Sequence, residues 1–420
     1  MTKNRYLFPF IMITSLFFMW GFVHNLDPVL IPHLKRSFSL STLEASLVDS
    51  ALFIAYFLMA LPAGFIMKKY GYKMGIIIGL GLFAIGSFLF IPAANTQMYA
   101  FFLGALFIIA CGLTILETAA NPYASLLGAP ESATFRLNFA QSFNGLAATL
   151  APIIGAKIIL VKGVSEKQLQ SMTESARKIA LASEASTVKM PYLILGIVIL
   201  VIAVIFSFLK LPEIVETEEE DQKESWISSF LRAFTYRHLN WAIVSQFFYV
   251  GAQVCVFSLF ILYATKAAGI DQQTAAKYSG YGIGLAFMIG RFAGTFLMRF
   301  IKAEKLLAIY SVICIFLSVV AITSAGTVAL YAVIGIAFFM SIMFPTIFSL
   351  GIKDLGRDTK FGSSLIIMSI AGGAVLPPIM AYIADRTDIQ IGYVVPLVCF
   401  VVVFMFAVKG HKVIPNRVAA

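Results

Sequence analysis

Long apolar stretches follow one another along the whole chain, each closed off by a short polar or charged segment. A helix of about eighteen or more apolar residues spans the roughly 30 Å hydrocarbon core of a bilayer. Twelve such stretches are read, at about 7–34, 44–67, 74–93, 99–127, 135–160, 191–209, 240–265, 274–298, 305–324, 327–352, 361–384 and 391–408. The pattern predicts an all-α integral membrane protein of twelve transmembrane helices. One longer polar interruption, 211–238, holds the acidic run Glu216, Glu218, Glu219, Glu220 and Asp221 and reads as a solvated connector. It divides the chain into two six-helix bundles, 1–210 and 239–420. The opposite loop 162–190 is also long, and its amphipathic pattern predicts a short surface helix.

The two halves echo each other. Ala63-Gly64-Phe65-Ile66-Met67-Lys68 ends the second span as Ala293-Gly294-Thr295-Phe296-Leu297-Met298-Arg299 ends the eighth. Pro122 to Gly128 in the fourth resembles Pro345 to Gly351 in the tenth, and Ala151-Pro152 in the fifth falls opposite Pro377-Pro378 in the eleventh. Three matches in one order argue for duplicated bundles around a central cavity, rocking to open it on alternate sides. That is the architecture of a transporter.

Composition narrows the class further. With 60% apolar and 12% charged residues the chain is no ordinary soluble domain. Lys3, Arg5, Lys68, Lys69, Lys73, Arg299, Lys302, Lys305, Lys353, Arg357, Lys360, Lys409, Lys412 and Arg417 fall on one side of the twelve-span count, whereas the loops at 94–98 and 325–326 carry no Lys or Arg. The positive-inside rule then places both termini in the cytoplasm. The net charge of +10 serves orientation and lipid contact, so no nucleic-acid partner is expected. The first span lacks a small-residue cleavage site and reads as a true span. Cys111, Cys255, Cys314 and Cys399 lie inside spans without metal or CxxC spacing, and His24, His33, His238 and His411 are scattered. No phosphate loop, metalloprotease or hydrolase motif is present, so neither an enzyme, nor a metal site, nor a cofactor is expected.

Polar residues inside the spans carry the functional signal. Glu117 sits in the middle of the apolar segment 101–128, where a carboxylate costs about 2.5–3.5 kcal/mol and by default faces a functional cavity. Asn121 follows on the same helical face, and Pro122 is expected to weaken the helix locally. On the first span Trp20, His24 and Asp27 share a face, with Asn25 nearby and Pro28 bending the backbone. Asn138, Gln141 and Asn144 form an amide stripe on the fifth span; Gln246, Tyr249 and Gln253 form another on the seventh. Amides donate and accept at once, which suits a neutral polyhydroxyl ligand, and Trp20 or Tyr249 could stack on a sugar ring. Tyr56 and Tyr281 read instead as packing or interface anchors. With no Lys or Arg near the middle of the first five spans, Asp27 and Glu117 would lose charge by taking up a proton or binding a cation. Arg291 is expected to snorkel towards the cytoplasm as gate or scaffold.

These residues also carry a resemblance. Leu116-Glu117-Thr118-Ala119-Ala120-Asn121-Pro122, Arg136 to Asn144, Tyr249-Val250-Gly251-Ala252-Gln253, Gly290-Arg291-Phe292-Ala293-Gly294-Thr295 and Phe344 to Lys353 resemble the L-fucose:proton symporter family, a branch of the major facilitator superfamily, over nearly the whole chain. The resemblance implies the major facilitator superfamily fold and a bacterial inner-membrane sugar symporter. It implies that Glu117 recognises the sugar, that Gln141 and Asn144 line the same cavity, and that a first-span carboxylate carries the proton. Here the chain departs from the family, reading Asn25-Leu26-Asp27-Pro28 where the family reads Asn-Leu-Asn-Asp, so the acid stands one position earlier. The expectation is a monomer that imports L-fucose or a related hexose with a proton, with Asp27 and Glu117 as the proton-coupling pair. The expected sugar contacts are Asn25, Asp27, Glu117, Asn121, Gln141, Asn144 and Gln253. Sodium coupling, a membrane sugar sensor without flux, and an exporter remain as alternatives, separable by flux measurements in liposomes.

Overall fold

The computed structural model describes residues 6–38, 40, 42–159, 171–209, 211–212 and 226–413. The acidic run 216–221 lies outside the described residues. The first half runs through α1 (Leu7–His24), α2 (Asp27–Ser37), α3 (Thr42–Thr96), α4 (Tyr99–Leu126), α5 (Ala133–Ile159), α6 (Glu174–Ser186) and α7 (Lys189–Phe208). The second half runs through α8 (Trp226–Ala233), α9 (Arg237–Ser258), α10 (Phe260–Ala267), α11 (Gln272–Lys277), α12 (Leu285–Leu297), α13 (Ala303–Thr323), α14 (Gly326–Met340), α15 (Met343–Gly351), α16 (Thr359–Met368), α17 (Gly372–Arg386), α18 (Ile389–Gly392) and α19 (Val394–Met405).

Ten helical stretches are long and apolar enough to cross a membrane. One of them, Ser50–Thr96, has 47 residues, or about 70 Å of helix, and so must cross twice. The turn is at Gly71, whose φ of 77° is a conformation that only glycine adopts without strain. Adding α5, of 27 residues, gives the twelve passes expected. Short breaks divide several passes, as between α1 and α2 or α14 and α15. Residues such as Phe57, Leu200 and Phe316 point apolar side chains outward, as a lipid-facing surface requires. The surface helix expected in 162–190 is α6, capped by Thr173.

The passes form two bundles. In one, α3 packs on α4 and α7, and α1 on α5; in the other, α9 packs on α17 and α19, and α13 on α14 and α19. Without a hydrophobic drive between helices in lipid, close backbone approach supplies the packing. Gly112 of α4 shows this, since a Cβ there would lie 2.6 Å from the Gly79 carbonyl of α3.

Hydrogen bonds between the bundles gather at one end, the end that bears Lys68, Leu126 and Thr359. Thr134 meets Ser349 at 2.9 Å, and Asn138 donates to Thr346 at 3.2 Å. The Ser142 and Thr295 hydroxyls stand 3.4 Å apart. Two prolines help to build this seam. Pro122 has no N–H to give the Thr118 carbonyl four residues back, and Ser363 of α16 donates to that carbonyl at 2.7 Å. Pro345 likewise frees the Ser341 carbonyl, which accepts Arg291 Nε at 2.9 Å. The repeated proline motif thus does the same work in both halves. The local weakening expected at Pro122 is this lost hydrogen bond, and α4 nevertheless continues through it to Leu126.

Beyond the ends of the passes, α8 braces the same end. Lys68 Nζ donates to Ser229 at 2.6 Å, while Arg232 forks onto Asp358 at 2.8 and 2.7 Å, joined by the Tyr236 hydroxyl at 2.9 Å. Asp358 is fully buried, and a buried carboxylate that loses its cation costs about 3–5 kcal/mol. Arg232→Met should therefore lower the thermal unfolding midpoint of the purified protein by several degrees. Adding Asp358→Asn should recover much of that loss. A double variant no more stable than Arg232→Met would show that the unpaired Asp358 charge is not the source of the loss.

Candidate functional site

The site begins at Glu117, half-buried near the centre of α4. Tyr56 of α3 donates its hydroxyl to Glu117 Oε1 at 2.6 Å. Asn121, one turn on, donates to the Glu117 carbonyl at 2.9 Å and accepts Gln141 Nε2 of α5 at 2.9 Å. The Gln141 carbonyl in turn accepts Arg291 Nη1 of α12 at 2.9 Å. A polar relay therefore runs from Tyr56 through Glu117, Asn121 and Gln141 to Arg291 and crosses from one bundle to the other.

Around this relay the expected residues divide. Among the described residues no side chain donates to the second carboxylate oxygen of Glu117, and no Lys or Arg forms an ion pair with it. Gln141 spends its amide nitrogen on Asn121 and leaves its side-chain oxygen available. Asn121 itself is fully buried with both ends of its amide engaged, so it holds Glu117 and Gln141 in place and does not face a cavity. Asn144 presses on α1 at Gly21, where a Cβ would lie 2.8 Å from its Cγ. Asn25 donates to the Gly21 carbonyl at 2.6 Å, so both amides meet at the end of α1. Gln253 is half-buried on α9 in the opposite bundle. Asp27 is the first residue of α2; its side chain lies outside the described residues.

Several expectations are corrected. Trp20 is 2% exposed and packs at a tilt against Phe17, with ring centroids 4.2 Å apart, so its ring belongs to the bundle core and is not offered to a sugar. The helix expected to carry Trp20, His24 and Asp27 is interrupted, because α1 stops at His24 and α2 starts at Asp27, ahead of any bend at Pro28. Tyr249 is fully buried and packs against Phe344. Asn138 is fully buried in the seam, so the amide stripe of α5 is part gate and part site. Arg291 does not snorkel: it is 4% exposed, tied to Ser341 and Gln141, and stacked over Phe287 at 4.5 Å. Tyr56 was expected to be packing and is instead the partner of Glu117. A lone tyrosine in an apolar span gives no sign of this, and only the packing of α3 on α4 brings them together. Tyr281, 72% exposed, is the surface residue expected.

The reach of Arg291 across the seam makes it a latch. A lysine there offers one point charge in place of a fork, and losing a hydrogen bond of about 1–1.5 kcal/mol shifts a two-state equilibrium about tenfold. Arg291→Lys should therefore raise by about that factor the rate at which a membrane-impermeant thiol reagent modifies Ser349→Cys at the seam. An unchanged rate would show that the latch does not hold this end shut.

Comparison with known proteins comes from three directions. The Major Facilitator Superfamily model matches residues 10–365. The L-fucose-proton symporter of Escherichia coli (strain K12) is 41% identical over 410 residues, covering 96% of this chain and 93% of its own. The glucose/galactose transporter of Brucella abortus biovar 1 (strain 9-941) is 40% identical over 415 residues, covering 98% and 96%. Among solved structures, the Major Facilitator Superfamily transporter FucP in the outward conformation superposes with a TM-score of 0.90 at 40% identity, over 96% of this chain and 99% of that one.

Proposed function

Because the chain belongs to the L-fucose:proton symporter family of the major facilitator superfamily, we propose that it imports L-fucose or a related neutral hexose together with a proton, by alternating access. It is a multi-pass membrane transporter and not an enzyme. The observation that carries the reading is the Tyr56–Glu117–Asn121–Gln141 relay, a carboxylate held by neutral donors inside a twelve-pass frame.

The roles follow from the chemistry. Glu117 accepts from sugar hydroxyls with its remaining oxygen; Gln141, Asn144, Asn25 and Gln253 supply further amide contacts, Gln253 from the second bundle. Asn121 and Tyr56 position Glu117. Asp27 carries the coupled proton. The bodies 1–210 and 239–420 rock about the relay, joined by 211–238. With the seam at the cytoplasmic end and both termini on that side of a bacterial inner membrane, a closed seam corresponds to the outward-facing state, and the carrier acts as a monomer.

The test is uptake of labelled L-fucose into proteoliposomes under an imposed proton or sodium gradient, with unlabelled hexoses as competitors. Proton-driven accumulation competed by one sugar is expected. Competition by glucose and galactose in preference to L-fucose would move the substrate towards that of the Brucella relative. Uptake driven by sodium alone would make Asp27 an ion ligand, and binding without flux would leave a sensor.

A further inference from the structure

We propose that α8 is a membrane-surface anchor, with Ile227 and Leu231, and Phe234 in the turn that follows, inserted at the lipid–water boundary of the leaflet next to the seam. The three residues recur at four- and three-residue intervals, which places them on one stripe. They are large apolar side chains, 49%, 60% and 44% exposed. The opposite face is occupied. Ser229 and Ala233 are buried, and Phe230 meets Phe361 at 6.4 Å between ring centroids.

What covers the stripe follows from where α8 is tied. Ser229 bonds Lys68 at the end of the second pass, and Arg232 bonds Asp358, which directly precedes the eleventh. The seventh pass begins at Arg237, three residues after Phe234, and three residues span at most about 10 Å. The helix is therefore held at the level where the passes leave the bilayer and cannot stand off into water. A short helix with one apolar face at that depth lies in the plane of the interface. Lys353, Arg357 and Lys360 belong to the same end and suit phosphate headgroups, whereas the acidic run 216–221 just upstream is repelled by an anionic surface. Apolar insertion, more than charge, then holds the anchor.

The experiment labels Leu231→Cys with an environment-sensitive fluorophore, in a Cys111→Ser background because Cys111 is half-buried while the other three cysteines are buried. The protein is placed in vesicles of phosphatidylethanolamine and phosphatidylglycerol containing lipids with a nitroxide at a shallow or a deep position. Shallow quenching about twofold stronger than deep quenching is expected for an interfacial helix. Emission indifferent to both quenchers would mean that the stripe faces water. Efficient cross-linking of Leu231→Cys between two chains would assign the stripe to a second copy, and either result overturns the proposal. Uptake of labelled sugar by the same labelled protein verifies that it is folded.

Discussion

Glu117→Gln is expected to lower the affinity for sugar about a hundredfold and to abolish both uptake and exchange. The substitution keeps the volume and leaves an oxygen for the Tyr56 hydroxyl, so the packing of α3 on α4 is undisturbed. What changes is the other position on the carboxylate. Where Glu117 offers an acceptor to a sugar hydroxyl, Gln places an N–H₂ donor, and the two donors oppose each other. Hydrogen bonds to a charged group contribute about 1.5–3 kcal/mol, and an unmet donor in a site shielded from water costs a similar amount. At about 1.4 kcal/mol per factor of ten, roughly two orders of magnitude follow. Tyr56→Phe should cost much less, about three- to tenfold, because it removes the group that orients the carboxylate and not the ligand itself. Equilibrium binding of labelled sugar to the purified variants measures both. Wild-type affinity in Glu117→Gln would remove the carboxylate from the sugar site.

The frame was legible because membrane spanning is a matter of length and hydropathy, and both are written along the chain. The duplicated motifs also read correctly, though their shared physical purpose appeared only with the coordinates. Pro122 and Pro345 each free a carbonyl that a side chain from another helix then takes. The site was legible where rarity carried it. A carboxylate in mid-bilayer is conspicuous, and Glu117 stood out for that reason. It was not legible where two ordinary residues matter only in combination. Tyr56 is one of many aromatics until α3 packs on α4, and Asn138 resembles Gln141 until one is found in the seam and the other in the relay. Helical spacing misled at Trp20 because the ring it singled out is buried in the bundle core against Phe17. It misled at Arg291 because distance along a pass says nothing of which carbonyls a neighbouring bundle presents.

Asp27→Asn should separate what Glu117→Gln destroys together. Each proton moving inward contributes about 2.3 kcal/mol per 100 mV, enough for a sugar gradient of about fiftyfold. Asparagine carries no proton, so accumulation in proteoliposomes should collapse to a ratio of about one, while exchange of internal for external sugar continues through the loaded carrier. This acid stands one position earlier than in the family's order, at a place in the fold where a shift of one residue need not matter. A shift of one residue turns a side chain by about 100° within an ideal helix. Here the residues stand at a junction, where α1 has ended at His24, Asn25 has closed its last turn onto Gly21, and α2 starts afresh at Asp27. That rotation holds within one unbroken helix, and Asp27 opens another. Pro28 suits the start of the new helix, where its missing N–H is no loss. Exchanging the pair, Asp27→Asn with Pro28→Asp, recreates the family's order and should restore accumulation that the single change removes. If Asp27→Asn alone still concentrates sugar fully, the proton travels elsewhere, and Glu117 becomes the group that must both hold the sugar and carry the charge.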